Sequence, residues 1–83
     1  SLAEDLEIDA YVTRRLRQEP EIMTRGFMVT RESDDLMAQA RRRIIETVNT
    51  ANGNLQQDVE QAVKNVLFSE TRRRPMVFVS INK

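Results

Sequence analysis

Apolar and polar residues alternate along some stretches of this chain and step by threes and fours along others. From Leu6 to Val12, Leu6, Ile8, Ala10 and Val12 fall on one side and Glu7, Asp9 and Tyr11 on the other, which is the period of a strand with one solvated face. Thr13-Arg14-Arg15 then predicts a turn, Leu16 to Glu19 a return strand, and Pro20 its close. The run from Glu21 to Thr30 is apolar without a helical period and predicts an ordered connector of partly extended character. Gly26 within it marks a turn, a bulge or a close backbone approach.

Leu36, Ala40, Ile44 and Val48 step by four, with Met37, Ile45 and Ala51 beside them. A helix is expected from about Asp34 to Thr50, with Ser33 as its N-cap and Asp34 and Asp35 complementing its dipole. Asn52-Gly53 offers a left-handed stop, and Asn54 a cap for a second helix, Leu55 to about Phe68. The apolar face of that helix is Leu55, Val59, Ala62, Val63, Val66 and Leu67. Met76 to Ile81 reads as a last strand behind Pro75, which has no N–H to give and holds Arg74 extended. Val77, Val79 and Ile81 occupy one of its faces and Met76, Phe78 and Ser80 the other; with both mostly apolar, a central position in the sheet is expected. The order ββααβ predicts an α+β fold, a two-layer α/β sandwich of three strands against two helices, as a single domain over residues 1–83.

Composition narrows what such a domain can do. The 83 residues include no His and no Cys. Imidazole bases, thiolate nucleophiles and the usual zinc ligand sets other than carboxylates are thereby excluded, and the chain is not expected to be an enzyme on its own. Glu32, Asp34 and Asp35 cluster, but helix-dipole stabilisation accounts for them without a metal. No apolar run approaches the roughly 20 residues of a membrane span, so a soluble cytoplasmic protein with no membrane partner is expected. A chain of this size buries only about 60% of its unfolded surface, so a partner surface would add stability. It starts at Ser1 rather than Met, as expected for a piece of a longer protein.

The thirteen basic and thirteen acidic residues cancel, but eleven of the bases are Arg and most are bunched. Arg14, Arg15 and Arg17 form one group, Arg41 to Arg43 another, and Arg72, Arg73 and Arg74 a third. In mid-helix, one of Arg41 to Arg43 is expected to pair with Glu46. The aromatic residues are Tyr11, Phe27, Phe68 and Phe78; Phe68 and Phe78 fit a core, and Tyr11 is the one ring placed to stack on a base. Met23, Met28, Met37 and Met76 fit packing, the first two flanking Gly26 and open to an interface role.

At Pro20-Glu21-Ile22-Met23-Thr24-Arg25-Gly26-Phe27, at Arg31-Glu32-Ser33 and at Glu70-Thr71-Arg72-Arg73-Arg74-Pro75-Met76, the chain resembles the C-terminal domain of the ribonuclease J family. Members of that family are bacterial metallo-β-lactamase/β-CASP nucleases that process and degrade RNA. The likeness covers nearly the whole chain, more closely from Pro20 onward; near the start, Ala3-Glu4-Asp5 stands where relatives run apolar and β-branched. The resemblance implies a small appendage, a three-stranded sheet facing two helices, tethered to a catalytic body. It also implies that zinc and its His and Asp ligands lie in the parent's catalytic domain. No catalytic or metal residue therefore carries over to any position here, and no cofactor is expected in the chain itself. The implied role is assembly into dimers or tetramers, with copies of itself or a paralogous subunit, and contact with RNA through the parent.

Two readings follow. In the first, the exposed sheet face or the connector forms an intersubunit contact, with Phe27 and Met28 as apolar anchors about Gly26 and Arg25 or Arg31 pairing at the rim. In the second, Arg14, Arg15, Arg17 and Arg72, Arg73 and Arg74 form one electrostatic stripe that binds RNA phosphates.

Overall fold

The computed structural model describes residues 6–26 and 30–82, the side chains of residues 30–32 excepted. Its middle strand is β1, Glu7–Thr13, where the alternation read in the sequence is realised in full. Ile8, Ala10 and Val12 are buried to 1% exposure or less, and Glu7, Asp9 and Tyr11 turn outward. On one side β1 pairs antiparallel with β2, Glu21–Arg25, and on the other parallel with β3, Met76–Asn82. The sheet order is β2-β1-β3.

Two helices, α1 (Thr30–Thr50) and α2 (Leu55–Thr71), join β2 to β3 and complete the ββααβ order. Leu36, Met37 and Ile44 of α1 and Leu55, Val59, Val63 and Leu67 of α2 pack with Ile8, Ala10, Val12, Val77 and Val79 in one core. Both helices bury a single stripe, which is why a chain this small closes one core between two layers.

Three expectations fail, each for a definable reason. The last strand is an edge strand, not the centre. Its two apolar faces bear on what lies above and below the sheet, whereas position in the sheet depends on which strand edges find partners. The return strand is Glu21–Arg25, not Leu16 to Glu19. Leu16 takes a left-handed φ of 53° and its N–H donates to the Thr13 carbonyl at 2.8 Å, so the chain turns there. Pro20 is buried just ahead of β2 and precedes a strand instead of ending one. β2 escapes the period-2 test because its inward positions are Ile22 and Thr24 and its outward ones include Met23. Third, α1 is already helical at Thr30, so Ser33 lies inside it and does not cap it.

The helix ends divide. Asn54 caps α2 as predicted, its Oδ1 accepting from the Gln57 N–H at 3.1 Å, with Asp58 in the first turn. Gly53 is not left-handed; among the described residues the positive φ values are at Leu16, Gly26 and Arg72. α2 continues past Phe68 to Thr71 and closes on Arg72, at φ 61°, whose N–H donates to the Phe68 carbonyl at 2.8 Å. Gly26, just after β2, has φ 108°, which side chains with a Cβ rarely adopt. We expect Gly26→Ala to destabilise the domain by about 1–3 kcal/mol, seen as a lower urea midpoint. An unchanged midpoint would show that this turn rearranges freely.

Candidate interaction surface

Both helices cover the same face of the sheet, and the strand register fixes what the other face presents. It holds three rows: Arg25, Glu7 and Met76; Met23, Asp9 and Phe78; Glu21, Tyr11 and Ser80. Met23 is 57% exposed, Met76 53%, Phe78 48% and Tyr11 40%. Four large apolar side chains thus share one uncovered face with three carboxylates, and Arg25 reaches Asp9 across it at 3.7 Å. Single exposed apolar residues are ordinary on a monomer, but several on one flat face are the mark of a contact surface.

Phe78 and Met76 were expected in the core. The burial pattern of β3 puts Val77 and Val79 inside and Met76 and Phe78 outside. The signal was present in the sequence: two helices form one layer, one layer covers one face, and a strand apolar on both faces must then leave one open. Tyr11 lies on this open face, as its polar neighbours predicted. Of the connector residues, Arg25 and Gly26 are placed, Arg25 on the open face. Phe27, Met28 and the Arg31 side chain lie outside the described residues, as does the Glu32 carboxylate.

The arginine groups separate. Glu7 pairs with Met76 at one end of the sheet and Thr13 with Asn82 at the other, six residue steps away, or about 20 Å. Arg72, Arg73 and Arg74 lead directly into Met76. Arg14 donates its backbone N–H to the Asn82 carbonyl, so Arg14, Arg15 and Arg17 belong to the far end. The two groups do not form one continuous stripe, and Glu7, Asp9 and Glu21 stand on the sheet face between them. Arg43 pairs with Glu46 at 3.1 Å, the mid-helix pair expected.

Phe68 is half-buried and not a core ring. The Arg74 guanidinium lies 4.8 Å from its centroid and that of Arg72 5.3 Å, within cation–π range. Its spacing to the basic run was legible in the sequence, but the left-handed turn at Arg72 that folds the run back over the ring was not. Among the described residues, no group of three His, Cys, Asp or Glu is placed to hold a metal ion. No helix among them is long and apolar enough to cross a membrane.

Residues 4–83 match the family model of the Ribonuclease J C-terminal domain. The chain belongs to that family. It is 34% identical over 94 aligned residues to Ribonuclease J 2 of Staphylococcus aureus (strain NCTC 8325), a match covering 99% of this chain and 17% of the relative. Ribonuclease J 2 of Staphylococcus epidermidis is 32% identical over the same shares. The chain therefore spans about a sixth of the length of the curated relatives it matches. This ribonuclease J C-terminal domain has the three-stranded sheet and paired helices that the resemblance implied.

Proposed function

We propose that this ribonuclease J C-terminal domain is a non-catalytic assembly unit. It joins copies of a larger cytoplasmic RNA-cutting protein through its open sheet face and so supports a nuclease activity housed outside the chain. Zinc and the metallo-β-lactamase/β-CASP machinery belong, in this reading, to that other part; a chain without His or Cys offers them no first-choice ligands.

The observation that carries the proposal is the uncovered face. Met23, Phe78, Met76 and Tyr11 supply apolar area where the domain's own helices do not reach. The charges on β2 favour a second copy as its cover. Glu21 and Arg25 flank Met23 two residues to either side along the strand. A two-fold axis that lays β2 of one copy antiparallel over β2 of the other sets Met23 against Met23 and each Glu21 against an Arg25. That self-complementary arrangement is what an isologous dimer requires. Asp9 lies in the axial row, where like carboxylates would meet, and Arg25 beside it offsets that repulsion.

Sedimentation of the chain over a wide range of concentration tests this. The mass is expected to rise with concentration toward that of two copies; a single-copy mass throughout overturns the proposal.

A further inference from the structure

The end of α2 makes a groove of about 370 Å³ walled by Gln61, Lys64, Asn65, Phe68, Arg74 and Pro75. The first four stand at i, i+3, i+4 and i+7, one face of the helix, and the last two come from the segment that leads into β3. The groove thus combines a ring, two carboxamides and two cations. The Arg74 guanidinium stands over Phe68 at 4.8 Å from its centroid, adding a second planar group beside the ring, and that of Arg72 stands over the same ring at 5.3 Å.

These groups are open to a ligand. Among the described residues no carboxylate pairs with Arg72 or Arg74. Lys64 meets Glu60 at 3.7 Å, but both are about two-fifths exposed, and such pairs hold weakly against a competing anion. Gln61 Nε2 donates to Asn65 Oδ1 at 2.9 Å, which leaves Gln61 Oε1 as an acceptor and Asn65 Nδ2 as a donor on two residues that wall the groove.

We infer that this groove takes one nucleotide of a single-stranded RNA. The base lies on the Phe68–Arg74 layer, its edge meets Gln61 and Asn65, and the flanking phosphates meet Lys64 and Arg72. Single strands are recognised in this manner, by stacking on rings or guanidinium planes with cations along the backbone. Bases stacked within a duplex cannot enter such a groove, and an acidic peptide would use the cations while leaving the ring and carboxamides idle. The inference goes beyond assembly and does not depend on it.

Fluorescence titration of the chain with a labelled single-stranded oligouridylate at several salt concentrations tests it. Binding is expected to weaken with salt at a log–log slope of about −0.7 per phosphate contacted. Phe68→Leu should weaken it by about 5- to 100-fold, the range found for one stacked base. Arg74→Gln should weaken it by removing half of the stacking layer, and Arg72→Gln should weaken it and flatten the salt slope by about one contact. Arg14→Gln with Arg15→Gln, at the far end of the sheet, should leave it unchanged. In a ¹⁵N spectrum the side-chain carboxamide signals of Gln61 and Asn65 should shift as RNA is added. If Phe68→Leu fails to fold, as far-ultraviolet circular dichroism would reveal, Arg74→Gln and the carboxamide shifts decide. No binding, equal binding of duplex, equal competition by polyglutamate, or loss through the Arg14 and Arg15 changes alone would overturn the inference. A chain that binds yet sediments as one copy would overturn assembly and leave this site standing.

Discussion

Ile8→Ala sharply lowers the stability of the domain. Ile8 is fully buried in the middle strand, with Thr24 beside it on β2 and Val77 on β3. Removing its three outer carbons opens a hole that neither neighbour can fill, because both are held by their own ladders and α1 and α2 close the space above. Truncations of this kind cost about 2–5 kcal/mol. A domain of this length has about 4–12 kcal/mol in total, so the loss takes from about a sixth to all of what is present. Urea unfolding followed by circular dichroism measures it. Met76→Ala is the matched control, since Met76 lies on the open face of the same sheet and is half-exposed; its cost in a single copy should stay within about 0.5 kcal/mol. Equal costs for the two would mean that the helices do not cover the sheet on the side described.

What the sequence disclosed and what it withheld divide along physical lines. Elements with a strong period were legible: β1 through its alternation, and the two helices through their stripes. Caps made by a side chain one residue away were legible too, as Asn54 was. β2 was not, because its inward Thr24 and outward Met23 invert the expected pattern, and nothing local distinguishes Pro20 before a strand from Pro20 after one. The start of α1 was hidden because Ser33 reads as a good cap in isolation, although the helix has already begun at Thr30. Strand order was hidden for a more general reason. It depends on pairing between residues 69 positions apart, as at Glu7 and Met76, and side-chain polarity reports on faces, not on edges. The separation of the arginine groups follows from that pairing, so it could not be read before the sheet was known. The open apolar face was within reach, since one layer of helices cannot cover two faces.

Met23→Glu together with Phe78→Glu holds the chain as single copies at concentrations where the unaltered chain associates. The two side chains stand on either side of Asp9 in one row of the open face, so the pair of changes sets three carboxylates side by side there. In a single copy the two new carboxylates face water and Asp9 keeps Arg25 beside it, and changes at exposed positions such as Met23 and Phe78 cost little. In a face-to-face dimer the same row lies on the two-fold axis, and six carboxylates would be brought together out of water. Central apolar anchors of an interface are worth about 2 kcal/mol or more each, so loss of these two alone weakens association by roughly 1,000-fold before repulsion is counted. Sedimentation reads the loss, and a urea midpoint matching the unaltered chain separates it from unfolding. Charge reversal locates the axis. Arg25→Glu alone should weaken association by facing Glu21 with a like charge, and adding Glu21→Arg to it should restore part of the affinity, because the exchanged pairs meet again across the axis. If the doubly substituted face associates as well as the original, the copies meet elsewhere, and the apolar row of β2, β1 and β3 faces some other partner.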